Sequence, residues 1–179
     1  MLKIYKKYNI RIGILGGTFD PPHKGHVYIS KVALKKLRLK KVIWAITKKN
    51  PLKKKPYLNL NQRKYLAKKI LKNEKKIFIK YYDDKIKSSN TFKLLKHIKK
   101  DKNKVQIFFL MGADNLIKLH NWKNWTKISN FAKIAVFPRK NYLLKKRTFK
   151  AVKKLRKKDL IFIKSKKVNI SSSLIRKFW

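Results

Sequence analysis

Six short apolar runs, spread along the whole 179-residue chain, constrain its fold more than any other feature. None of them alternates with polar residues, as a strand with one face in water would. Uninterrupted apolar runs of this length are typical of strands that are buried on both faces of a parallel sheet. The runs are Ile12–Leu15, Val42–Ile46, Ile77–Ile79, Val105–Leu110, Ile134–Phe137 and Leu160–Ile163.

Segments with helical spacing separate these runs, and their apolar residues recur three and four positions apart. Strand and helix in turn predict an α/β fold with a doubly wound, mostly parallel sheet of the Rossmann-like kind. We find no internal repeat and no linker rich in Gly, Ser or Pro, so residues 1–179 are expected to form a single domain. The clearest stripes are Leu66, Ala67, Ile70 and Leu71; Thr91, Leu94, Leu95 and Ile98; and Phe149, Val152 and Leu155.

The composition excludes several classes of protein. The chain has no cysteine, which rules out disulfides, thiolate metal sites and a cysteine nucleophile. No run approaches the roughly 18 apolar residues of a membrane span. The apolar stretch after the basic first ten residues is too short for a signal peptide. We therefore expect a cytoplasmic protein without a membrane partner.

The chain is extremely basic, with 52 Lys and Arg against 7 Asp and Glu and a net charge of +45. One explanation is a polyanionic partner such as nucleic acid or a membrane surface. The other is a lineage-wide drift toward Lys, Ile and Asn, and the even spread of lysines favours it. In either case the charge attracts anionic substrates and allows non-specific binding of nucleic acid at low salt.

A motif that is suited to binding phosphate follows the first apolar run. Gly16 and Gly17 are expected to allow a sharp turn and a close approach of the backbone to a ligand. A helix is predicted to begin near Lys24, and its free N–H groups and dipole favour an anion. His23 and His26 are three residues apart at this helix start, so both rings can face the same ligand.

Residues Gly16–His26, GGTFDPPHKGH, resemble the motif of the nucleotidyltransferase superfamily that carries a His-x-Gly-His element, here His23-Lys24-Gly25-His26. In its longer form the motif is similar to that of the bacterial nicotinate-nucleotide adenylyltransferase family. The resemblance implies transfer of AMP from ATP to nicotinate mononucleotide, which gives nicotinate adenine dinucleotide and pyrophosphate. It also implies a role in NAD biosynthesis.

Two further segments agree with the ATP side of this family. A glycine and an aspartate follow the fourth apolar run, Gly112 and Asp114, and resemble the Gly-x-Asp element of the family. Near the end of the chain, ISSSLIR is similar to the superfamily motif in which Ser and Arg contact the triphosphate, here Ser172, Ser173 and Arg176. A planar guanidinium donates two hydrogen bonds to a phosphate at once.

The resemblance also implies contacts with the acceptor. Trp122 matches an aromatic platform that stacks on the nicotinate ring, and Arg139 matches an arginine near the nucleotide. The full set expected on the acceptor side is Thr18, Phe19, Thr91, Trp122 and Arg139. Trp125, on the same short predicted helix as Trp122, is expected to pack in the core.

The chain departs from the family at several points. Lys53 stands near the place where the family often has a histidine, and Asn90 replaces a tyrosine. His97 and His120 are interpreted as solvated residues without a role. The family usually continues with a further helix after the arginine motif, whereas this sequence stops at Trp179.

The implied mechanism requires positioning and charge stabilisation rather than a general base, because a phosphate acceptor is already ionised at neutral pH. The catalytic residues are then His26, which contacts the α-phosphate, His23, and Arg176, which holds the pyrophosphate. Gly16, Gly17 and Lys24 complete the ATP site. No His, Asp or Glu cluster has metal-ligand spacing, so Mg²⁺ is expected to arrive with ATP.

Three alternatives stay open from the sequence. Phosphopantetheine adenylyltransferase shares the early motif and an Ile-Ser-Ser-Ser-Leu string, but it commonly has Thr in place of His23 and lacks the arrangement of Gly112, Asp114 and Trp122. Nicotinamide mononucleotide is another possible acceptor. A basic nucleic-acid-binding module would explain the charge but not the His, Gly and Arg positions.

Overall fold

The computed structural model describes residues 10–52, 55–100, 104–139, 150–166 and 170–179, without the side chain of Lys150. Six strands form one sheet with the order β3-β2-β1-β4-β5-β6, and every pair is parallel. The predicted doubly wound α/β sheet is therefore confirmed. The strands are β1 (Ile10–Gly17), β2 (Lys41–Ile46), β3 (Ile77–Tyr81), β4 (Val105–Gly112), β5 (Lys133–Phe137) and β6 (Leu160–Phe162).

Helices connect the strands and cover both faces of the sheet. The α-helices are α1 (Lys24–Lys36), α2 (Leu60–Ile70), α3 (Asp83–Ile86), α4 (Thr91–Lys100), α5 (Ala113–Lys118), α6 (Lys150–Lys154) and α7 (Ser172–Ile175). Short 3₁₀ turns lie at Leu119–Asn121, Trp125–Asn130, Lys157–Asp159 and Arg176–Phe178. In the part of the chain that the structure describes, none of these helices is both long and apolar enough to cross a membrane. Phe149, the first residue of the third apolar stripe, lies outside the described residues.

The strands other than β3 contribute side chains to two separate cores, one on each face of the sheet, whereas β3 packs on one face only and its Phe78 is 46% exposed. In β4, Ile107 and Phe109 belong to one core, whereas Phe108 and Leu110 belong to the other. All four are less than 5% exposed. Because a strand that is covered by helices on both faces has no solvated side, its buried positions on both faces are apolar. This explains the uninterrupted runs in the sequence.

The strand order reverses at the centre of the sheet, where β1 lies between β2 and β4. The chain leaves β1 toward one edge of the sheet and later returns to β4 on the other side. In open α/β sheets, such a point creates a crevice beyond the carboxyl ends of the two central strands. Gly16 and Gly17 end β1 here and Thr18 and Phe19 follow it, whereas Gly112 ends β4 and Ala113 and Asp114 follow it.

Candidate active site

The turn after β1 is made by different residues from those that the sequence suggested. Gly16 and Gly17 were expected to form it, but both lie in β1, and no glycine in the described part of the chain has a positive φ. Phe19 takes the left-handed conformation instead, with φ 51°. A Cβ on Gly16 would come within 3.3 Å of the Phe109 ring. The glycines therefore keep the floor of the crevice open rather than bending the chain.

The side chain of Phe19 supports the site from below, which corrects its expected role as an acceptor contact. It is 2% exposed, and its ring stacks on Trp44 with centroids 4.8 Å apart. The ring of His26 also contacts Phe19, with the two ring centroids 4.7 Å apart. The turn places this ring in the core, where burial of its apolar surface stabilises the fold. Phe19 thus fixes the position of His26.

The two histidines of the motif pack against each other at the start of α1. His23 is the N-cap, and its backbone N–H donates to Nδ1 of His26 over 3.2 Å. The ring centroids are 3.8 Å apart. Since Nδ1 of His26 accepts a hydrogen bond, the proton of the neutral ring is on Nε2. The structure thus sets the tautomer and makes Nε2–H the donor of this imidazole.

The imidazole of His23 is buried and electrically neutral at physiological pH. The residue is 6% exposed, and Nδ1 has no hydrogen-bond partner among the described residues. Burial, and secondly the positive charge of Arg139, lower its pKa from 6.5 to about 4. His23 therefore presents a neutral hydrogen-bonding ring to the site rather than a cation.

This low pKa predicts acid destabilisation. Between pH 6.5 and about 4 the unfolded state takes up a proton that folded His23 refuses, so stability is lost as the pH falls through that window. The shift is equivalent to about 3 kcal/mol. We expect the drop in unfolding free energy between pH 7 and pH 4, measured with urea, to be smaller by about that amount in His23→Gln. A drop in His23→Gln as large as that of the parent would contradict the prediction.

The C-terminal segment closes over the same turn. Arg176 donates from Nη1 to the backbone carbonyl of Asp20, and Nη1 lies 3.6 Å from the Asp20 carboxylate. Its guanidinium is 5.3 Å from the centre of the Tyr57 ring. Ser172 donates from its hydroxyl to the carbonyl of Pro21 over 2.9 Å. The structure therefore brings the arginine motif and the histidine motif together.

The other two serines of this motif have separate functions in the helix. Ser171 is the N-cap of α7, and its hydroxyl accepts from the backbone N–H of Leu174 over 3.1 Å. The hydroxyl of Ser173 lies 3.4 Å from Nη2 of Arg176. Ser173 therefore lies beside the guanidinium of Arg176.

A carboxylate and a second guanidinium lie across the crevice, after β4 and β5. Oδ1 of Asp114 is buried without a hydrogen-bond partner in the described part of the chain, and Nη1 of Arg139 is 3.8 Å away. A Cβ on Gly112 would lie 2.3 Å from that oxygen, so the glycine leaves room for the carboxylate. Arg139, which is predicted to contact the acceptor, lies beside Asp114 and close enough to His23 to lower its pKa.

An apolar cavity of about 200 Å³ opens on the other side of the glycine pair. Gly16, Gly17, Thr91 and Trp122 line it, so two of the expected acceptor contacts lie together here. The Trp122 ring meets Phe109 edge to face, with centroids 6.0 Å apart. Trp122 and Trp125 were expected to share one short helix, but they do not. Trp122 follows one 3₁₀ turn and Trp125 begins the next.

The remaining predicted residues lie at the margin of the site. Thr18 is half-buried and uses its backbone carbonyl as an acceptor, and it does not line the cavity. Lys24 is exposed at the first position of α1. His120, interpreted as solvated, is half-buried with Nδ1 buried and unpartnered among the described residues. Lys53 lies outside the described residues.

Arg63 is an organising residue that the sequence analysis missed. It is 1% exposed on α2 and donates to four backbone carbonyls. The acceptors and distances are Thr18 at 2.6 Å, Thr47 at 2.7 Å, Lys48 at 3.1 Å and Leu58 at 3.1 Å. These carbonyls belong to the segments that follow β1 and β2. One side chain thus holds both edges of the crevice. The sequence signal for its burial was its position four residues before Ala67, on the same apolar stripe of α2.

Two buried or half-buried aspartates complete this framework. Asp20 is 4% exposed and accepts from the backbone N–H groups of Tyr57 and Leu58 at 2.9 and 3.0 Å. Asp83 is half-buried and accepts from the hydroxyl of Thr47 and the backbone N–H of Lys48. Among the residues that the structure describes, no three His, Asp or Glu side chains are placed to hold a metal ion.

The comparisons with known proteins agree with this geometry. Residues 14–178 match the family model described as cytidylyltransferase-like. A probable nicotinate-nucleotide adenylyltransferase of Pelagibacter ubique is 49% identical over 170 residues, which are 93% of this chain and 92% of the relative. A protein with the same description from Clostridium novyi is 38% identical over 92% of this chain and 84% of its own.

Solved structures share the fold. The Plasmodium falciparum nicotinic acid mononucleotide adenylyltransferase complexed with NaAD has a TM-score of 0.78 at 22% identity, over 94% of this chain and 83% of that one. The same enzyme complexed with APC has a TM-score of 0.77. At this level of identity the likeness establishes the Rossmann-like architecture.

Proposed function

The chain belongs to the cytidylyltransferase-like family, and on that basis we propose that it transfers the adenylyl group of ATP to nicotinate mononucleotide. The products are nicotinate adenine dinucleotide and pyrophosphate, as in NAD biosynthesis. The descriptions of its relatives support this acceptor. The observation that carries the proposal is that the segment with Arg176 contacts Asp20 and Pro21 of the histidine motif, next to a cavity lined by Gly16, Gly17 and Trp122.

The two halves of the site fit the two substrates. On one side of the glycine pair lie imidazole and guanidinium donors, which suit the phosphates of ATP. On the other side the cavity offers Trp122 and Phe109, which suit a flat pyridine ring. Gly16 and Gly17 separate the two halves without side chains. An acceptor phosphate can therefore approach the α-phosphorus across them.

The residues act by position and charge. The acceptor phosphate oxygen attacks the α-phosphorus in line, and the bond to the pyrophosphate oxygen breaks. Nε2–H of His26 would donate to the α-phosphate as charge builds there, and neutral His23 fixes its orientation from the adjacent position. Arg176 would neutralise the leaving pyrophosphate. Mg²⁺ would enter with ATP and be held mainly by phosphate oxygens and water, where it neutralises negative charge.

A parallel assay tests the proposal against its rivals. Pyrophosphate release from ATP is measured with nicotinate mononucleotide, nicotinamide mononucleotide or phosphopantetheine, and with no acceptor. We expect the highest kcat/KM with nicotinate mononucleotide and no release without an acceptor. A higher kcat/KM with phosphopantetheine would overturn the acceptor assignment.

The net charge of +45 is the one observation that favours a second function, binding of nucleic acid. Salt-dependent, sequence-independent binding would agree with the adenylyltransferase proposal, because any strongly basic surface attracts a polyanion. Sequence-selective binding at physiological salt, without pyrophosphate release from any acceptor, would favour the rival. The cytoplasmic location and the single domain stay predictions.

A further inference from the structure

We propose that Lys123 is a specificity-determining residue of the acceptor cavity, and that its ammonium favours a ring bearing a carboxylate over one bearing a carboxamide. The inference rests on the proposed function, because it concerns which pyridine mononucleotide the cavity accepts. It is carried by the charges of the residues that line the cavity and by the turn that holds Lys123 there.

Lys123 is held next to the aromatic wall by a short turn. The backbone N–H of Trp122 donates to the carbonyl of Leu119, and that of Trp125 donates to the carbonyl of Trp122, over 3.0 and 3.1 Å. Asn124 takes the left-handed conformation that reverses the chain between them, with φ 56°. This turn fixes the backbone of Lys123 beside Trp122, and both residues line the cavity.

The lining contains very little charge for such a basic protein. Of the cavity residues in the described ranges, Lys123 alone is positively charged and Asp83 alone is negatively charged. The neighbouring polar residues, Asn50, Ser89 and Asn90, are neutral. The described lining therefore carries one cation and one carboxylate, although the chain as a whole carries +45.

Asp83 already has partners within the protein. Its Oδ2 accepts from the hydroxyl of Thr47 at 2.7 Å, the backbone N–H of Lys48 at 2.8 Å and the hydroxyl of Ser89 at 2.7 Å. These bonds join the segments that border the cavity, so the carboxylate serves as a structural acceptor. Its negative charge still faces the lining and disfavours a second carboxylate there.

The lysine therefore decides the sign of the preference. With Lys123 the described lining holds one cation, and its ammonium can form a charge-assisted hydrogen bond with an acidic ring substituent. Without it, the described lining keeps the carboxylate of Asp83 and no cation, so an anionic ring loses its charged partner, whereas a neutral carboxamide is hardly affected. Because Lys123 is exposed, the effect is limited by solvent screening.

The test compares kcat/KM for nicotinate mononucleotide with kcat/KM for nicotinamide mononucleotide in the full-length protein. We expect Lys123→Met to lower this ratio roughly tenfold and Lys123→Glu to lower it further. Lys123→Arg, which keeps the charge, should stay within about twofold of the parent. Lys127→Met is the matched control: it removes the same charge from an exposed position four residues away, outside the cavity lining, and should leave the ratio unchanged.

The outcomes separate this inference from the proposed function. If the parent uses nicotinate mononucleotide but the ratio is the same in Lys123→Met and Lys123→Glu, the inference is wrong and the function stands. An equal fall in Lys127→Met would also overturn it, because the effect would then come from overall charge. If the parent releases pyrophosphate with neither mononucleotide, the proposed function is wrong and the inference falls with it.

Discussion

His26→Asn should lower kcat by roughly 10²–10³-fold while the protein stays folded, which is the scale for loss of one preorganised donor at a reacting centre. The asparagine oxygen occupies nearly the place of Nδ1, so it can still accept from the backbone N–H of His23. What the variant loses is the donor at Nε2. The structural role of the histidine is thereby kept, and its proposed chemical role is removed.

His26→Gln is the matched variant, because its amide nitrogen reaches nearly the place of Nε2 and can donate to the α-phosphate. We expect it to retain at least tenfold more turnover than His26→Asn, at the cost of the bond to His23. Steady-state pyrophosphate release and urea unfolding of both variants check this. The assignment of His26 would be wrong if His26→Asn kept turnover within about threefold of the parent.

Replacing Arg63 should lower the free energy of unfolding more than any other substitution proposed for this protein. Arg63→Met keeps the length and the apolar stem but leaves four backbone carbonyls without their donor. Each buried carbonyl that loses its partner costs about 1–3 kcal/mol, and partial hydration of the loops reduces the sum. We expect the unfolding free energy to fall by about 3–5 kcal/mol.

Arg63→Lys should recover only part of this loss, because one ammonium cannot reach four acceptors that a planar guanidinium spans. Lys68→Met, at an exposed position of the same helix, is the control and should change stability by less than about 0.5 kcal/mol. Urea titration of the three variants gives the comparison. A loss below about 1 kcal/mol in Arg63→Met would show that these bonds contribute little to the fold.

The sequence predicted the sheet well because burial on both faces leaves a strong local record. Every apolar run lies in a strand or directly after one, as Ile163 does, and the helix at Lys24 begins where the motif placed it. Those predictions needed only the residues of each segment. Local composition is sufficient to predict a strand wherever both of its faces are buried.

The parts of the site that were missed depend on contacts between distant segments. Arg63 donates to backbone carbonyls, which every residue has, so no residue type in the sequence identifies its partners. The left-handed turn at Phe19 is a second example, because non-glycine residues seldom take a positive φ and no local signal marked it. The approach of Arg139 to Asp114 is a third example, since it depends on how β5 lies beside β4.

The contact between Arg176 and Asp20 joins residues 156 positions apart. During translation, the first strands leave the ribosome long before this arginine has been added to the growing polypeptide. A nascent protein can therefore bury much of its interior while its nucleotide pocket still lacks a wall, and ATP cannot stabilise such an intermediate fully. Competence to bind the nucleotide should consequently appear as a late event in biosynthesis, after most of the chain has emerged.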